Sequence, residues 1–98
     1  MTPVWIDDEA EAEFLAAVEW YVEQDPEVAM RFVDDVERGL VVIGEAPMRW
    51  PVRRARARRY LLREFPYELV YRYQPGDAVV RVIAIAHQHR RPGYWRQR

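Results

Sequence analysis

The dipeptide Asp25-Pro26 constrains this chain more than any other feature. Aspartate is a strong helix N-cap, because its carboxylate accepts from the first unpaired backbone N–H groups. Proline suits the first helical position, where its fixed φ fits and its missing N–H costs nothing. The pair starts one helix and bars another from running through it. Apolar residues recur at helical spacing on both sides. Ala10, Phe14, Ala17, Val18 and Tyr21 form one stripe, with Glu9, Glu13, Glu19 and Glu23 mostly off it. Ala29, Phe32, Val33, Val36, Leu40 and Ile43 form the second. The spacing predicts helices over about 8–24 and from 26 to a stop at Gly44 and Pro47. So short a connection makes them an antiparallel hairpin. Asp7 or Asp8 is the expected cap of the first helix, with Glu11 completing a capping box. Glu27–Arg31 and Asp34–Arg38 stand at i,i+4 in the favourable order.

From Pro47 the period changes. Residues 47–57 are rich in arginine and proline around Trp50 and read as a loop. Strand character begins at Tyr60-Leu61-Leu62 and breaks at Pro66. Tyr67, Leu69, Tyr71 and Tyr73 alternate with Glu68, Val70 and Arg72, which is strand period. Pro75-Gly76-Asp77 is turn chemistry. Val79 to Ala86 is apolar except at Arg81, which predicts a central strand covered on most of both faces. Val4-Trp5-Ile6 suits a brief first strand. The predicted fold is α+β in the order β-α-α-β-β-β. An N-terminal strand leads into an antiparallel helical hairpin packed on a small antiparallel sheet, and a polar tail follows. With 98 residues and no internal repeat, one domain over 1–98 is expected.

Several functions are disfavoured by composition. The chain has no cysteine, so it has neither a disulfide framework nor a thiolate metal site. Its two histidines, His87 and His89, lack zinc-ligand spacing, and neither metal nor cofactor is expected. No apolar run approaches the ~20 residues that span a bilayer. Met1 to Asp8 lacks the basic start and apolar core of a signal peptide. The expectation is a soluble cytoplasmic protein without a membrane partner.

The net charge of −1 conceals a division. Residues 1–45 carry 13 acids and 2 arginines, whereas residues 46–98 carry 13 arginines and 3 acids. All 15 basic residues are arginine, whose planar guanidinium forks onto phosphates and carboxylates and stacks on rings. The second half thus suits an anionic partner, unless the halves neutralise each other across the fold.

Three segments then carry a family resemblance. The first is the paired helices, Phe14 to Tyr21 and Asp25 to Val36. The second is Arg59-Tyr60-Leu61-Leu62-Arg63-Glu64-Phe65-Pro66-Tyr67-Glu68-Leu69-Val70-Tyr71. The third is the ending, His87-Gln88-His89-Arg90-Arg91-Pro92-Gly93-Tyr94-Trp95-Arg96-Gln97-Arg98. Together they resemble the RelE/ParE superfamily of type II toxin–antitoxin toxins, particularly the ParE-like plasmid stabilisation proteins. The resemblance implies a growth-arresting toxin masked by a cognate antitoxin, with operator DNA reached only through that antitoxin. It leaves two targets open. ParE-like members are associated with inhibition of DNA gyrase, whereas RelE-like members cut mRNA on the ribosome.

RelE-type cleavage uses no metal. The 2′-hydroxyl attacks the adjacent phosphate, so the site must hold a dianionic transition state and move two protons. Under that implication Arg63 is the phosphate-binding arginine and Tyr94 the C-terminal stacking or proton-transferring tyrosine. His87 and Arg90 complete the candidate set. His87 also reads as a strand-end histidine with a fixed hydrogen bond, and Tyr94 as a packing aromatic beside Trp95. Where the RelE pattern has a further arginine this chain has Gln88, a departure that favours the ParE-like reading. Candidates for target or antitoxin binding are Arg49, Trp50, Arg53, Arg54, Arg56, Arg58, Arg59, Arg91, Trp95 and Arg96. The cluster over 49–59 suits a phosphate backbone, an acidic antitoxin tail, or pairing with the chain's own acids.

Overall fold

In the computed structural model, which describes residues 1–98, the predicted junction between helices is present. Helix α1 spans Asp8–Gln24 and α2 spans Pro26–Glu45. Between them Asp25 is extended, and its Oδ1 accepts the Glu27 N–H at 2.9 Å. The cap expected at the other end of α1 is not made. Asp7 holds the N-cap position, but its carboxylate accepts Nε and Nη2 of Arg81 at 2.8–3.0 Å. A forked charged pair is stronger than a cap to a neutral amide. It also explains how Arg81 is tolerated within an apolar strand. Its pKa rises chiefly through the hydrogen bond to Asp7.

The expected i,i+4 pairs are replaced by others. Arg38 reaches Asp35 at 3.1 Å, one position nearer than expected, and Arg31 reaches Glu64 at 3.8 Å beyond the helix. Asp35 is fully buried and accepts the backbone N–H groups of Arg63 and Glu64 at 3.3 and 2.8 Å. That carboxylate pins the corner after β2 (Arg58–Leu61) to α2.

The sheet also contains β1 (Val4–Ile6), β3 (Tyr67–Arg72) and β4 (Val80–His87), in the order β1-β4-β3-β2. The expected meander β2-β3-β4 is antiparallel, and β4 is internal as its apolar run requires. Strand β1 adds to β4 in parallel, with Val4 opposite Val80 and Ile6 opposite Val82, so the sheet is mixed.

The hairpin packs on one face of the sheet. Phe32, Val36 and Ile43 meet Tyr60, Leu69, Tyr71, Val82 and Ile85 there. Gly39 makes the close approach possible, because a Cβ at that position would lie 2.8 Å from a ring carbon of Tyr60. On the other face Val70, Ile83, Ala84 and Ala86 are covered by Ala57 and Trp95. The polar tail is therefore docked. Arg72 holds it by donating to the carbonyls of Arg96 and Arg98 at 3.1 and 2.7 Å, while its Nε donates to Ala55 at 3.0 Å.

Candidate binding cleft

Strand alternation builds a cleft on the sheet face opposite the helices. The β2 residues Arg59 and Leu61 lie across from Val70 and Glu68, and Gln88 follows the end of β4. The loop with Arg53 and Arg54 forms one wall, and the tail from Arg90 to Trp95 forms the other. The cleft has a volume of about 560 Å³. Four guanidinium groups (Arg53, Arg54, Arg59 and Arg90) line it with one carboxylate, Glu68, which pairs with Arg59 at 3.4 Å. The cleft consequently attracts anions.

Its walls are tied together. Arg54 Nη1 donates to the Pro92 carbonyl at 3.2 Å. Gly93 has φ +76° and faces Arg54, whose Nη1 would stand 2.7 Å from any Cβ there. Ala55 and Arg56 have φ of 54° and 60°, a left-handed pair without glycine. Such residues cost about 1 kcal/mol or more each and persist only where the surroundings hold them. Here Arg72 holds the Ala55 carbonyl, and the Arg53 N–H donates to Ala57 at 2.7 Å.

A second cluster closes the rim. Strand β1 ends opposite Val82, which leaves the next residues of β4 without a strand on that side. Glu13 on α1 accepts the Ile85 N–H at 3.0 Å, and Arg98 Nη1 donates to the Ile83 carbonyl at 3.0 Å. Arg98 also binds Glu13 at 2.9 and 3.2 Å. Burial opposes the charge of Arg98, but the hydrogen bond and charge of Glu13 outweigh it and raise its pKa. The Tyr94 hydroxyl donates to Glu13, and Arg90 lies 3.9 Å above the Tyr94 ring. Burial first, and then Glu13, push the Tyr94 phenol far above its ordinary range.

The family described as "ParE toxin of type II toxin-antitoxin system, parDE" matches residues 4–92. The chain belongs to the ParE toxin family. A solved chain from the "Chromosomal ParDE TA system from P. aeruginosa" shares its fold, with a TM-score of 0.70 at 19% identity. The match covers 89% of this chain and 96% of that one. No curated protein matches it in sequence.

In this ParE-family chain only Arg90 and Tyr94, of the four residues proposed for RNA cleavage, have side chains in contact. Arg90 lines the cleft. Tyr94 is held on Glu13, at the rim. His87 faces the helices, its ring centroid 5.0 Å from that of Tyr67, and its Nδ1 accepts the His89 N–H at 3.0 Å. Arg63 stands at the corner pinned by Asp35, outside the cleft lining.

The binding candidates divide as well. Arg53, Arg54, Arg59 and Trp95 belong to the cleft, with Trp95 buried in its floor. Arg56, Arg91 and Arg96 are exposed around it. Arg49 lies 5.6 Å from the Trp50 ring, which itself packs edge-on against Tyr60. Arg58 is no surface residue. It is buried, and it donates to the carbonyls of Met48, Trp50 and Tyr73. Glu13 escaped the sequence reading because nothing in helical spacing marks a side chain that serves a distant strand. Leu61, Glu68 and Gly93 were legible as elements but not as neighbours.

Proposed function

We propose that the chain arrests growth by binding DNA gyrase through surface contact, and that a cognate antitoxin neutralises it in the cytoplasm. Operator DNA would be reached only through the antitoxin. Family membership supports a type II toxin. The observation that favours a binding inhibitor is the placement of Arg63 at the Asp35 corner and His87 on the helix face, with neither joining the Arg90–Tyr94 pair. General acid–base cleavage needs its groups within hydrogen-bond reach of one phosphate. The rigid cationic cleft supplies instead a surface for an anionic partner. No helix is long and apolar enough to cross a membrane.

The test is a gyrase supercoiling assay, paired with labelled-precursor incorporation after induction of the gene. The expected results are inhibited supercoiling and a fall in DNA synthesis before protein synthesis. Arg63→Ala and Tyr94→Phe should keep the inhibition, and Arg53→Glu should weaken it. Translation falling first, with toxicity lost in the Arg63 and Tyr94 variants alone, would overturn the proposal in favour of a ribosome-dependent endoribonuclease.

A further inference from the structure

Strand β4 ends on a histidine whose ring is built into the turn that follows. His87 Nδ1 accepts the His89 N–H at 3.0 Å. The Arg90 N–H donates to the His87 carbonyl at 3.0 Å, and the Gln88 N–H donates to the Pro66 carbonyl at 2.8 Å. A side chain that accepts the N–H two residues on closes a turn as an Asx side chain does. The bond also fixes the ring. A nitrogen that accepts carries no proton, so His87 is neutral, with its hydrogen on Nε2. The exposed His89 ring stands 5.0 Å away, centroid to centroid. The turn then delivers Arg90 to the cleft, where its guanidinium lies 3.9 Å above the Tyr94 ring.

We propose that this turn is a proton-operated hinge that sets where Arg90 stands in the cleft. With neutral His87 the turn is closed and Arg90 covers Tyr94. An imidazolium carries hydrogen on both nitrogens and can only donate. Protonation therefore sets the Nδ1 hydrogen against the His89 N–H, so the turn loses a bond and gains a repulsion. In acid the His89 ring adds a second cation beside the first, and Arg90 and Arg91 follow directly in the chain. No neighbouring group offsets this charge. From β3 the His87 ring meets Tyr67 edge-on, and from α1 Tyr21 stands against Tyr67 in turn. Glu13 on α1 holds Arg98, and Glu68 on β3 holds Arg59. No carboxylate pairs with either imidazole. Acid thus frees Arg90 from Tyr94 and loosens one wall of the cleft. The hairpin and sheet rest on an apolar core and stay in place.

The hinge is independent of the gyrase reading and of what the cleft binds, since its test uses the full chain alone. Nuclear magnetic resonance follows the protein from about pH 8 to about pH 5, a range that spans the free imidazole value of about 6.5. At the alkaline end the ring nitrogen shifts of His87 should report the Nε2–H tautomer. As that ring protonates, exchange protection of the His89 amide should fall about fivefold or more. The Arg90 side-chain protons should lose the ring-current shift that Tyr94 imposes, while protection at Phe32 and Leu69 holds. His87→Asn supplies an acceptor that does not titrate, so it should keep the Arg90 shift at both ends of the range. If that variant does not fold, wild type and His89→Gln carry the test, because the Arg90 change must still follow the His87 ring. An Arg90 shift that stays constant while His87 protonates would overturn the inference. So would an Nδ1–H tautomer at the alkaline end, or an equal acid response in His87→Asn.

Discussion

Glu13 on α1 and Ile85 on β4 are joined by a hydrogen bond of 3.0 Å from backbone to carboxylate, in the place where a neighbouring strand would otherwise lie. The same carboxylate holds Arg98 and Tyr94, so one helix residue closes the sheet edge and anchors the tail. Glu13→Ala leaves a strand amide without its acceptor and the Arg98 guanidinium with only the Ile83 carbonyl and the exposed Glu9. We expect a loss of about 2–3 kcal/mol in urea unfolding, with faster proteolysis of the tail. Glu13→Gln should lose less, since it keeps an acceptor for Ile85. An unchanged urea midpoint in the alanine variant would show that water serves this edge equally well.

Asp35→Ala removes a fully buried acceptor from two backbone N–H groups and from Arg38. The expected cost is about 3 kcal/mol, enough to lower the melting temperature markedly. Amide exchange at Arg63 and Glu64 should accelerate more than elsewhere.

Gly39→Ala tests the helix-to-sheet distance. Alanine has the higher helix propensity, worth up to about 1 kcal/mol. Its Cβ would stand 2.8 Å from Tyr60 and 2.9 Å from Leu69, both in the core. Overpacking costs about 1–3 kcal/mol, so a net loss near 1 kcal/mol is expected. A calorimetric gain in stability would mean that the rings move aside freely.

The alkaline limb of stability should reflect buried phenols. Tyr71 donates to the Pro47 carbonyl, and burial pushes its pKa up to about 12, with Arg58 opposing. Tyr94 is raised as well. A group whose folded pKa exceeds its unfolded value stabilises fully below the unfolded pKa. Its contribution then declines as pH rises from about 10 towards the folded pKa. Ultraviolet titration should show these two phenols ionising late. Tyr71→Phe should flatten the loss of stability between about pH 10 and 12. A phenol titration complete by pH ~10.5 would contradict the buried environment.

Arg72→Lys keeps a charge but not the fork that holds the Ala55, Arg96 and Arg98 carbonyls. Residues 93–98 should lose exchange protection while the helices keep theirs.

Much of the fold was legible because it rests on local rules. Asp25-Pro26 starts α2 by capping chemistry, and period 3.6 on either side gives the hairpin. The apolar run of β4 marks an internal strand because only a covered strand tolerates it. Where local rules met a distant partner, they failed. Asp7 abandoned its cap for Arg81, and Arg38 took Asp35 in place of Asp34. Arg58, counted among the surface arginines, is buried on three carbonyls that approach only when loop 47–57 and β3 come together.

By itself the sequence determined element order, the hairpin, the central strand, the charge division and the family resemblance. Each of these depends on residues close together in the chain or on motifs read in line. Only the tertiary structure decided which arginines share a cleft, which face His87 takes, and that β1 runs parallel to β4. It also decided that Glu13 completes the edge of β4. The physical reason is that hydrogen bonds and charge pairs act over a few ångströms of space, whatever the separation along the chain. Glu13 and Arg98 stand at opposite ends of this sequence and meet at 2.9 Å.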